Sequence, residues 1–328
     1  MTLIHGTGLA RHFHRIAWLA VGLALCVTVF GAFVRLSHAG LSCPDWPTCY
    51  GRATWPKAAT DVADHVATSI REFERNKAWR EQVHRHLAAA LGVLTLILAL
   101  IGARKRKYGV AQIVAAAAII GIAIPIYMRG EHVIPSILAV IGEAILLAAA
   151  WRWSNSDLAR ASALTLAVII FQALLGMWTV TWLLKPIVVM GHLLGGMSTL
   201  GLLVWMACRA TDSPLRVVDE QRLRIWLRMG VGVLLVQIAL GGWVSANYAA
   251  LACGVQFPQC LGQWWPPHDF GEALVLWRGI GVDYEGGVLD GYARIAIQLA
   301  HRIGALVAGL VLLWVAVAKL MRVPGVRG

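Results

Sequence analysis

The sequence predicts an all-α, polytopic membrane helix bundle with about eight transmembrane helices. Three observations predict this class. Hydrophobic residues make up 59% of the 328 residues and charged residues only 14%. The mean hydropathy is +0.67, and the apolar residues form stretches of about 20, the length that crosses a bilayer. A soluble domain of this size carries far more charge on its surface, so these features favour the bilayer as the solvent.

Eight stretches are long enough to span the hydrocarbon core. They are residues 16–36, 84–103, 109–127, 134–151, 161–183, 187–208, 226–246 and 293–319. The first stretch follows a basic segment, but it is long and lacks a small-residue cleavage site. We therefore interpret it as a retained helix rather than a signal peptide.

Positive charge is concentrated at alternate ends of these stretches, and it gives the chain a formal net charge of +12. The basic clusters are Arg11, Arg15, the run 104–107, Arg152, Arg160, Arg209, Arg216, Arg222, Arg224, Arg228, Lys319, Arg322 and Arg327. By the positive-inside rule these ends, and both termini, are cytoplasmic. This distribution argues against a nucleic-acid partner. We expect a multi-pass protein of the bacterial inner (plasma) membrane, with the lipid bilayer as its surroundings.

Four of the six cysteines form two close pairs, Cys43/Cys49 and Cys253/Cys260. Both pairs fall in loops that this topology places on the outer side of the membrane, which is an oxidising compartment in bacteria. Two short-loop disulfides are therefore the favoured interpretation. A metal site is the alternative, although neither pair has the two-residue spacing of a zinc knuckle.

The first outer loop also contains apolar residues at helical spacing. After Thr60/Asp61, the positions Val62, Val66, Ile70 and Phe73 would share one face of a helix. This pattern predicts an amphipathic helix over residues 60–77 that lies on the membrane. Such a helix could shield an entry point to the bundle, or it could simply order a long loop.

The sequence repeats itself at an offset of 210 residues. The segment GAFVRLSHAGLSC at residues 31–43 aligns without a gap with GGWVSANYAALAC at residues 241–253. Because both copies start from the cytoplasmic side, we predict a parallel pseudo-twofold repeat of four-helix units, with the second unit incomplete. The similarity continues through Trp55-Pro56 and Trp265-Pro266 to the pairs His84-Arg85 and His301-Arg302. A shorter echo relates FQALLGMWTV at residues 171–180 to VQIALGGWVS at residues 236–245.

Three histidines within the predicted spans are the leading candidates for chemistry: His84, His192 and His301. Ionisable residues in a membrane are costly and are candidates for function. Histidines at one depth in a bundle can supply the axial ligands of a haem iron. A histidine hydrogen-bonded at the lipid interface is the alternative, but the repeated positions of His84 and His301 favour ligation. The glycines around His192 suit a flat ring, and they equally suit close helix packing.

Glu81 precedes His84 by three positions and therefore shares its helix face, whereas Gln298 stands three positions before His301. A carboxylate beside a haem ligand can take a proton or stabilise positive charge at the porphyrin edge. The alternative is a surface glutamate at a helix N-terminus. The loss of the carboxylate in the second copy favours the functional interpretation. Arg85 and Arg302 are candidates to pair with haem propionates, with snorkelling to the interface as the alternative.

Four blocks of the sequence together resemble the proteobacterial haem A synthase family: GAFVRLSHAGLSCPDWPTCYG, EQVHRHLAAALG, FQALLGMWTVTWLLKPIVVMGHLLGG and LAHRIGALVAGL. The resemblance extends across nearly the whole chain. It implies two four-helix bundles related by a pseudo-twofold axis, with the substrate haem in the N-terminal half and a haem b cofactor in the C-terminal half. It further implies oxidation of the C8 methyl of haem O to a formyl group, which gives the haem A of terminal oxidases.

The resemblance also implies roles for individual residues. Glu81 corresponds to the essential glutamate of the family, and His84 and His192 correspond to the haem-iron ligands of the N-terminal half. His301 corresponds to the first iron ligand of the C-terminal half. Disulfides are implied for Cys43, Cys49, Cys253 and Cys260.

The sequence departs from the family pattern in two places. Residues 109–151 form an additional helix pair, and the chain ends before the family's last two helices, so we expect the second haem b ligand to be missing from this chain. The predicted organisation is an N-terminal substrate-haem bundle at 1–208, a cytoplasmic linker at 209–225 and a partial haem b half-bundle at 226–328.

The leading prediction is thus a haem O-oxidising oxidoreductase, a haem A synthase, that uses haem O as substrate and haem b as cofactor. The expected partners are haem O synthase and a redox partner that the sequence does not identify. Association into a homo-oligomer is a further possibility. A b-type cytochrome or a haem carrier without catalysis is the main alternative. A small-molecule transporter would explain the repeat and the spans, but it would leave the histidines at matched depth unexplained.

Overall fold

The computed structural model describes residues 8–69, 71–155, 157–210 and 220–320, and its named elements in these ranges are all helical. The long helices are α1 (Gly8–Leu36), α2 (Arg75–Ala103), α3 (Gly109–Tyr127), α4 (Val133–Arg152), α5 (Ala159–Thr181), α6 (Pro186–Arg209), α7 (Glu220–Ala246) and α9 (Gly291–Trp314), with a short α8 at Phe270–Ala273. Within the described ranges, eight helices are long and apolar enough to cross a membrane. The predicted fold class and its eight spans are confirmed, and the protein is a multi-pass membrane protein. Ile70, Arg216, Arg322 and Arg327 lie outside the described residues.

Several helices begin earlier than the apolar stretches that predicted them. The helix α2 begins at Arg75 rather than at residue 84, and α7 begins at Glu220 rather than at residue 226. The added turns contain charged residues. Hydropathy detects only the part of a helix that lies in hydrocarbon, whereas the helix itself continues into the interface.

The chain divides into two compact units, of which the first comprises Met1–Thr181 and Gly195–Pro214. Its main core joins α1, α2, α5 and the later part of α6 through Phe13, Ala17, Ala20, Ala24, Leu91, Leu98, Leu158, Ala161, Leu203, Met206 and Ala207. A second core packs the pair α3 and α4 against α2 and α5, mostly through alanines. Small residues allow the close helix approach that drives packing in a membrane.

Gly102 is one point at which α2 approaches α5 closely. A Cβ added to Gly102 would lie 2.4 Å from Oγ of Ser162 and 3.4 Å from the Cα of Ala159. The hydroxyl of Ser162 is itself buried and hydrogen-bonded to the carbonyl of Leu158 at 2.8 Å. The contact therefore depends on the absence of a side chain at position 102.

The second unit comprises Trp182–Leu194 and Leu215–Gly328, and contains the start of α6 together with α7, α8 and α9. Its core consists of Trp243, Val244, Ala249, Ala273, Leu289, Ala293, Ala296 and Ile297. The indole N–H of Trp243 donates to the carbonyl of Ala273 at 2.9 Å, which attaches the outer loop to α7. The expected boundaries at residues 208 and 225 stay predictions.

The amphipathic helix predicted over residues 60–77 is wrong. The segment instead forms two short 3₁₀ turns, Ala59–Val62 and Val66–Ser69, before α2 begins. Val62 is buried in a cluster with the two cysteines of the first disulfide, whereas Val66 is 77% exposed. The segment folds back onto the disulfide loop, so its apolar residues do not form one continuous face.

The repeat in the sequence is also a repeat of local backbone geometry. Both first helices end at equivalent residues, α1 at Leu36 and α7 at Ala246. The turn that follows is closed by equivalent hydrogen bonds: Ala39 N–H donates to Val34 at 3.0 Å and Ala249 N–H donates to Val244 at 2.9 Å. Each disulfide loop then forms one isolated antiparallel bridge, Cys49 with Arg52 and Cys260 with Gln263.

We predict that Gly102→Leu lowers the thermal stability of the purified protein, because the new side chain would separate α2 from α5. Overpacking of a close contact costs about 1–3 kcal/mol. Gly92→Leu on the same helix is the matched control, since a Cβ there meets nothing within 4 Å. Thermal unfolding in detergent checks the pair, and equal midpoints for both variants would contradict the assigned helix contact.

Candidate functional site

His84 lies inside α2, and its ring contacts α1 at Gly31. A Cβ at Gly31 would be 2.9 Å from Cε1 of His84 and 3.3 Å from its Nε2. Real side chains essentially never approach this closely, so the imidazole depends on a glycine in the facing helix. The histidine and the glycine are both part of the repeated sequence.

The second copy builds the same contact with His301 and Gly241. A Cβ at Gly241 would lie 3.2 Å from Cε1 of His301. Each copy therefore places one imidazole against the bare backbone of the preceding long helix of its repeat. Glycine at this position lets the ring lie deep in the helix interface.

Gln237 on α7 orients the ring of His301. Its side-chain amide lies 3.0 Å from Nδ1 of His301 and 3.3 Å from the main-chain carbonyl of the same residue. The amide nitrogen of Gln237 donates to the carbonyl, and its role towards Nδ1 depends on the tautomer of the ring. Because Gln237 occupies the Nδ1 side of the imidazole, Nε2 is the ring nitrogen left to bind a metal.

A second glutamine shows a related arrangement. A Cβ at Gly304, three residues after His301, would lie 2.5 Å from Oε1 of Gln237. Likewise, a Cβ at Gly195, three residues after His192, would lie 1.6 Å from Nε2 of the buried Gln172. Each glutamine side chain thus packs against the backbone of a glycine that lies one helical turn after a candidate histidine. The sequence echo contained both glutamines but gave no sign of what they contact.

His192 lies near the start of α6 and is partly buried. It belongs to the second compact unit, as does His301, whereas His84 and Glu81 belong to the first. The pairing of His84 with His192 as ligands of one iron stays a prediction.

Glu81 is buried, with 4% of its surface exposed, and its carboxylate is fully engaged. One oxygen accepts the main-chain N–H of Cys43 at 2.8 Å and the hydroxyl of Ser42 at 3.0 Å. The other oxygen pairs with the guanidinium of Arg85. The carboxylate therefore connects α2 to the first disulfide loop, immediately before His84.

Arg85 has contacts beyond Glu81. Its terminal nitrogens donate to the main-chain carbonyls of Asp45 at 2.6 Å, Thr48 at 2.6 Å and Cys43 at 3.1 Å. The loop that it grips is closed by the Cys43–Cys49 disulfide. These bonds occupy the N–H groups that we expected to meet a propionate, so that pairing stays only a prediction.

Arg302 repeats this arrangement in the second copy. It donates to the carbonyls of Gln259 at 2.9 Å, Pro258 at 3.2 Å and Gln256 at 3.4 Å, inside the loop closed by the Cys253–Cys260 disulfide. In each His-Arg pair, the histidine thus faces a glycine of the preceding long helix, and the arginine holds a disulfide loop through hydrogen bonds. Sequence reasoning missed this role, because the partners are main-chain carbonyls about 40 residues away.

The two copies differ in what precedes the histidine. Gln298 replaces Glu81, and Ala252 replaces Ser42. Gln298 donates to the carbonyl of Ala250 at 3.3 Å, while its own buried oxygen has no hydrogen-bond partner among the described residues. The second copy keeps the histidine and the loop clamp but lacks the carboxylate and the hydroxyl.

The residues present fit a haem iron. The glycines beside His84 and His301 leave room for each imidazole within the helix interface, and Gln237 fixes the orientation of the second ring. Neutral imidazole is the common protein ligand of haem iron. The surroundings of both histidines are therefore compatible with iron binding.

The fold and these sites define a class of protein: a multi-pass helical membrane protein with a duplicated histidine site, each copy next to a disulfide-closed loop. The chain belongs to the COX15-CtaA family of cytochrome oxidase assembly proteins, whose profile matches residues 14–125 and 134–327. The matched ranges contain most of α3 and α4, the pair that we expected to be additional. A haem involvement follows from this family.

The chain is also similar to a named relative along most of its length. It is 33% identical over 311 residues to the heme A synthase of Shewanella oneidensis. The alignment covers 92% of this chain and 78% of that protein. No solved structure matches the chain.

We predict that Arg85→Met destabilises the protein by roughly 3 kcal/mol, because it leaves the buried Glu81 carboxylate without its counter-charge. The double variant Arg85→Met/Glu81→Gln should be more stable than Arg85→Met alone, since no uncompensated charge remains. Thermal unfolding in detergent of four proteins, wild type, Arg85→Met, Glu81→Gln and the double variant, measures this order. Losses that simply add in the double variant would contradict the coupling.

Proposed function

We propose that this protein is a haem A synthase, which oxidises the C8 methyl of haem O to a formyl group for terminal oxidases. Family membership and the similarity to a heme A synthase along 92% of the chain support the proposal. The observation that carries it is the buried Glu81 one turn before His84, matched by an uncharged Gln298 in the other copy. This asymmetry is what a pair of sites with one reactive member would retain.

In this proposal the N-terminal copy is the reactive one. His84 binds the iron of the substrate haem O, and the resemblance assigns the second axial position to His192. Glu81, immobilised by Arg85 and by the loop N–H of Cys43, is fixed in position beside the ligand. A preorganised carboxylate stabilises positive charge that develops on the porphyrin edge, and it can relay a proton.

The chemistry converts a methyl group into an aldehyde in successive steps. With water as the source of oxygen, the methyl group and one water molecule together release four electrons and four protons, two of these protons from the methyl group and two from the water. The first oxidation gives the alcohol, the second gives the gem-diol, and loss of water from the gem-diol gives the formyl group. The electrons pass to a redox partner, and the protons leave through groups such as Glu81.

In the C-terminal copy we propose that His301 would hold the iron of haem b, which would supply one-electron transfer when bound. Gln237 would keep the imidazole ring in position for that role. Arg302 fixes the outer loop above it through three main-chain carbonyls.

We further propose that both termini are cytoplasmic and that both disulfides face the outer compartment of a bacterial inner membrane. Six of the membrane-spanning helices, α2 to α7, separate the first disulfide loop from the second. An even number of crossings puts both loops on one side, and oxidised cysteines indicate the oxidising side. Haem O synthase is the expected neighbour, because it makes the substrate.

A haem-binding protein without catalysis is the second candidate, and one observation favours it. Both oxygens of Glu81 are occupied by donors of the loop and by Arg85, as a purely structural carboxylate would be. In that case haem would be bound or passed on unchanged.

We predict that Glu81→Gln lowers the yield of haem A by about 100-fold or more, the usual range for loss of an acid–base group. The protein is co-expressed with haem O synthase, and extracted haems are identified by mass. Gln298→Leu, at the equivalent position, is the matched control and should leave the haem A yield unchanged.

Total haem per protein, measured on the same samples, separates chemistry from binding. Equal haem A from Glu81→Gln and wild type would remove the assigned role. Haem B or haem O without any haem A in the wild-type extract would favour the carrier.

We also predict that Gln237→Leu weakens retention of the C-terminal haem by 10–100-fold, the usual effect of removing a hydrogen bond to a ligand histidine. A reduced-minus-oxidised spectrum and electron paramagnetic resonance of the low-spin iron report the loss and the reoriented ring. Gln112→Leu on α3 is the control. Unchanged haem retention and an unchanged spectrum in Gln237→Leu would show that Gln237 does not orient a haem ligand at His301.

A further inference from the structure

Lys185 carries a buried ammonium group without an anionic partner. The residue lies in the turn between α5 and α6 and has no exposed surface. Its Nζ has no hydrogen-bond partner among the described residues. A buried charge without hydrogen bonds is costly, so such groups are normally paired or bind a ligand.

Aromatic side chains take the place of a counter-charge. The Nζ atom lies 3.3 Å from the ring centroid of Trp277 and 5.2 Å from that of Trp182, and the two indoles meet edge to face. Cation–π contacts of this kind recover only part of the lost hydration. Burial accordingly lowers the pKa of Lys185 from its usual value.

The indole of Trp277 packs directly against this ammonium. Its side chain belongs to a loop without regular structure and is 63% exposed, although it lies directly on a group with no exposure at all. The exposed indole of Trp277 therefore lies between the ammonium and the surroundings. Displacement of that one side chain would open Lys185 to an incoming anion.

Two arginines of this unit already have partners. Arg278, which follows Trp277, pairs with Glu272 at 2.7 Å. Arg294, at the start of α9, donates to the carbonyl of Gly287 at 3.2 Å. Neither arginine is therefore available as an anion receptor in place of Lys185.

The backbone fixes the position of Lys185. Leu183 and Leu184, just before it, have φ values of +49° and +59°, a left-handed conformation that costs a non-glycine residue about 1 kcal/mol or more. The carbonyl of Leu183 accepts the N–H of Tyr284 at 3.1 Å, and the carbonyl of Lys185 accepts the N–H groups of Val188 and Val189. Lys185 is therefore held rigidly at the positive end of α6, where an anion is favoured.

The register of α6 relates Lys185 to His192. The two residues are seven positions apart, which puts them on the same helix face about 10 Å apart along the axis. That separation suits a ligand whose metal lies at its centre and whose acidic groups lie at its edge. A tetrapyrrole bound through its iron at His192 meets this description.

We propose that Lys185 binds a carboxylate of the tetrapyrrole whose iron is bound by His192, and that Trp277 covers the ammonium until that carboxylate displaces it. The proposal rests on the proposed function, because it takes His192 as a haem ligand. It assigns anion recognition to a residue of the turn, while Arg85 is committed to the disulfide loop. It also gives Trp277 the role of an exchangeable cover.

The test compares two probes that differ only in the charged groups. The full chain, purified without bound haem into nanodiscs of neutral lipid, is titrated with haem B and with its dimethyl ester. Wild type should bind haem B about tenfold more tightly than the ester, the equivalent of one charge-assisted hydrogen bond. Lys185→Met should lose this preference and bind both probes like the ester, whereas Lys185→Arg should retain it.

The association rate provides a readout that is independent of affinity. Trp277→Ala removes the indole that lies on the ammonium, and it should speed the binding of haem B more than that of the ester. Lys77→Met, at a partly exposed lysine paired with Glu74 in the first unit, is the matched control for loss of a positive charge. Parallel titration of His301→Ala identifies the signal that belongs to the other haem site.

Each outcome has one meaning. If Lys185→Met weakens the binding of haem B and of its ester equally, or changes the binding of neither, the lysine does not recognise the carboxylate. The proposal then fails, while haem binding stands. If Lys185→Met leaves both probes unchanged in neutral nanodiscs but weakens the binding of anionic phospholipid to the protein, a lipid headgroup occupies the site and the proposal is overturned. If the preference is found but no haem A is ever formed, the function fails and the recognition site stands.

Discussion

The guanidinium of Arg85 is the interaction on which the N-terminal site depends. It joins a buried carboxylate, three main-chain carbonyls of a disulfide loop and the helix turn that carries His84. A buried ion pair of this kind is expensive to desolvate, and it survives because every remaining hydrogen bond is made. The outer loop, the carboxylate and the histidine are therefore positioned together rather than separately.

The same construction in the second copy shows what is structural and what is specialised. Arg302 grips its loop as Arg85 does, and both histidines face a glycine. Only the first copy places a carboxylate under the loop, together with the serine that helps to hold it. Architecture is retained in both copies, and the group suited to acid–base chemistry is retained in one.

The polar groups buried in this protein fall into two kinds. Glu81 and Arg85 satisfy each other, and they rigidify the site that they build. Lys185 is covered by aromatic rings but has no anionic partner among the described residues. In an apolar environment an unpaired ammonium is costly unless a ligand supplies the counter-charge. The carboxylates of the porphyrin that this protein is proposed to bind would supply that counter-charge. The rigid groups and the incomplete one thus have complementary roles in a single haem-handling protein.

The sequence by itself determined the eight spans, the repeat, the cysteine pairs and the choice of Glu81 and the three histidines. Hydropathy and spacing report properties that a segment has on its own, such as length in hydrocarbon and which residues share a helix face. The tertiary structure decided what Arg85, Gln237 and Lys185 contact, since their partners lie tens of residues away or on another helix. It also replaced the helix expected over residues 60–77, because Val62 packs onto the disulfide loop instead of the membrane. A periodic pattern indicates that apolar residues need a surface to cover them, and only the folded chain determines which surface that is.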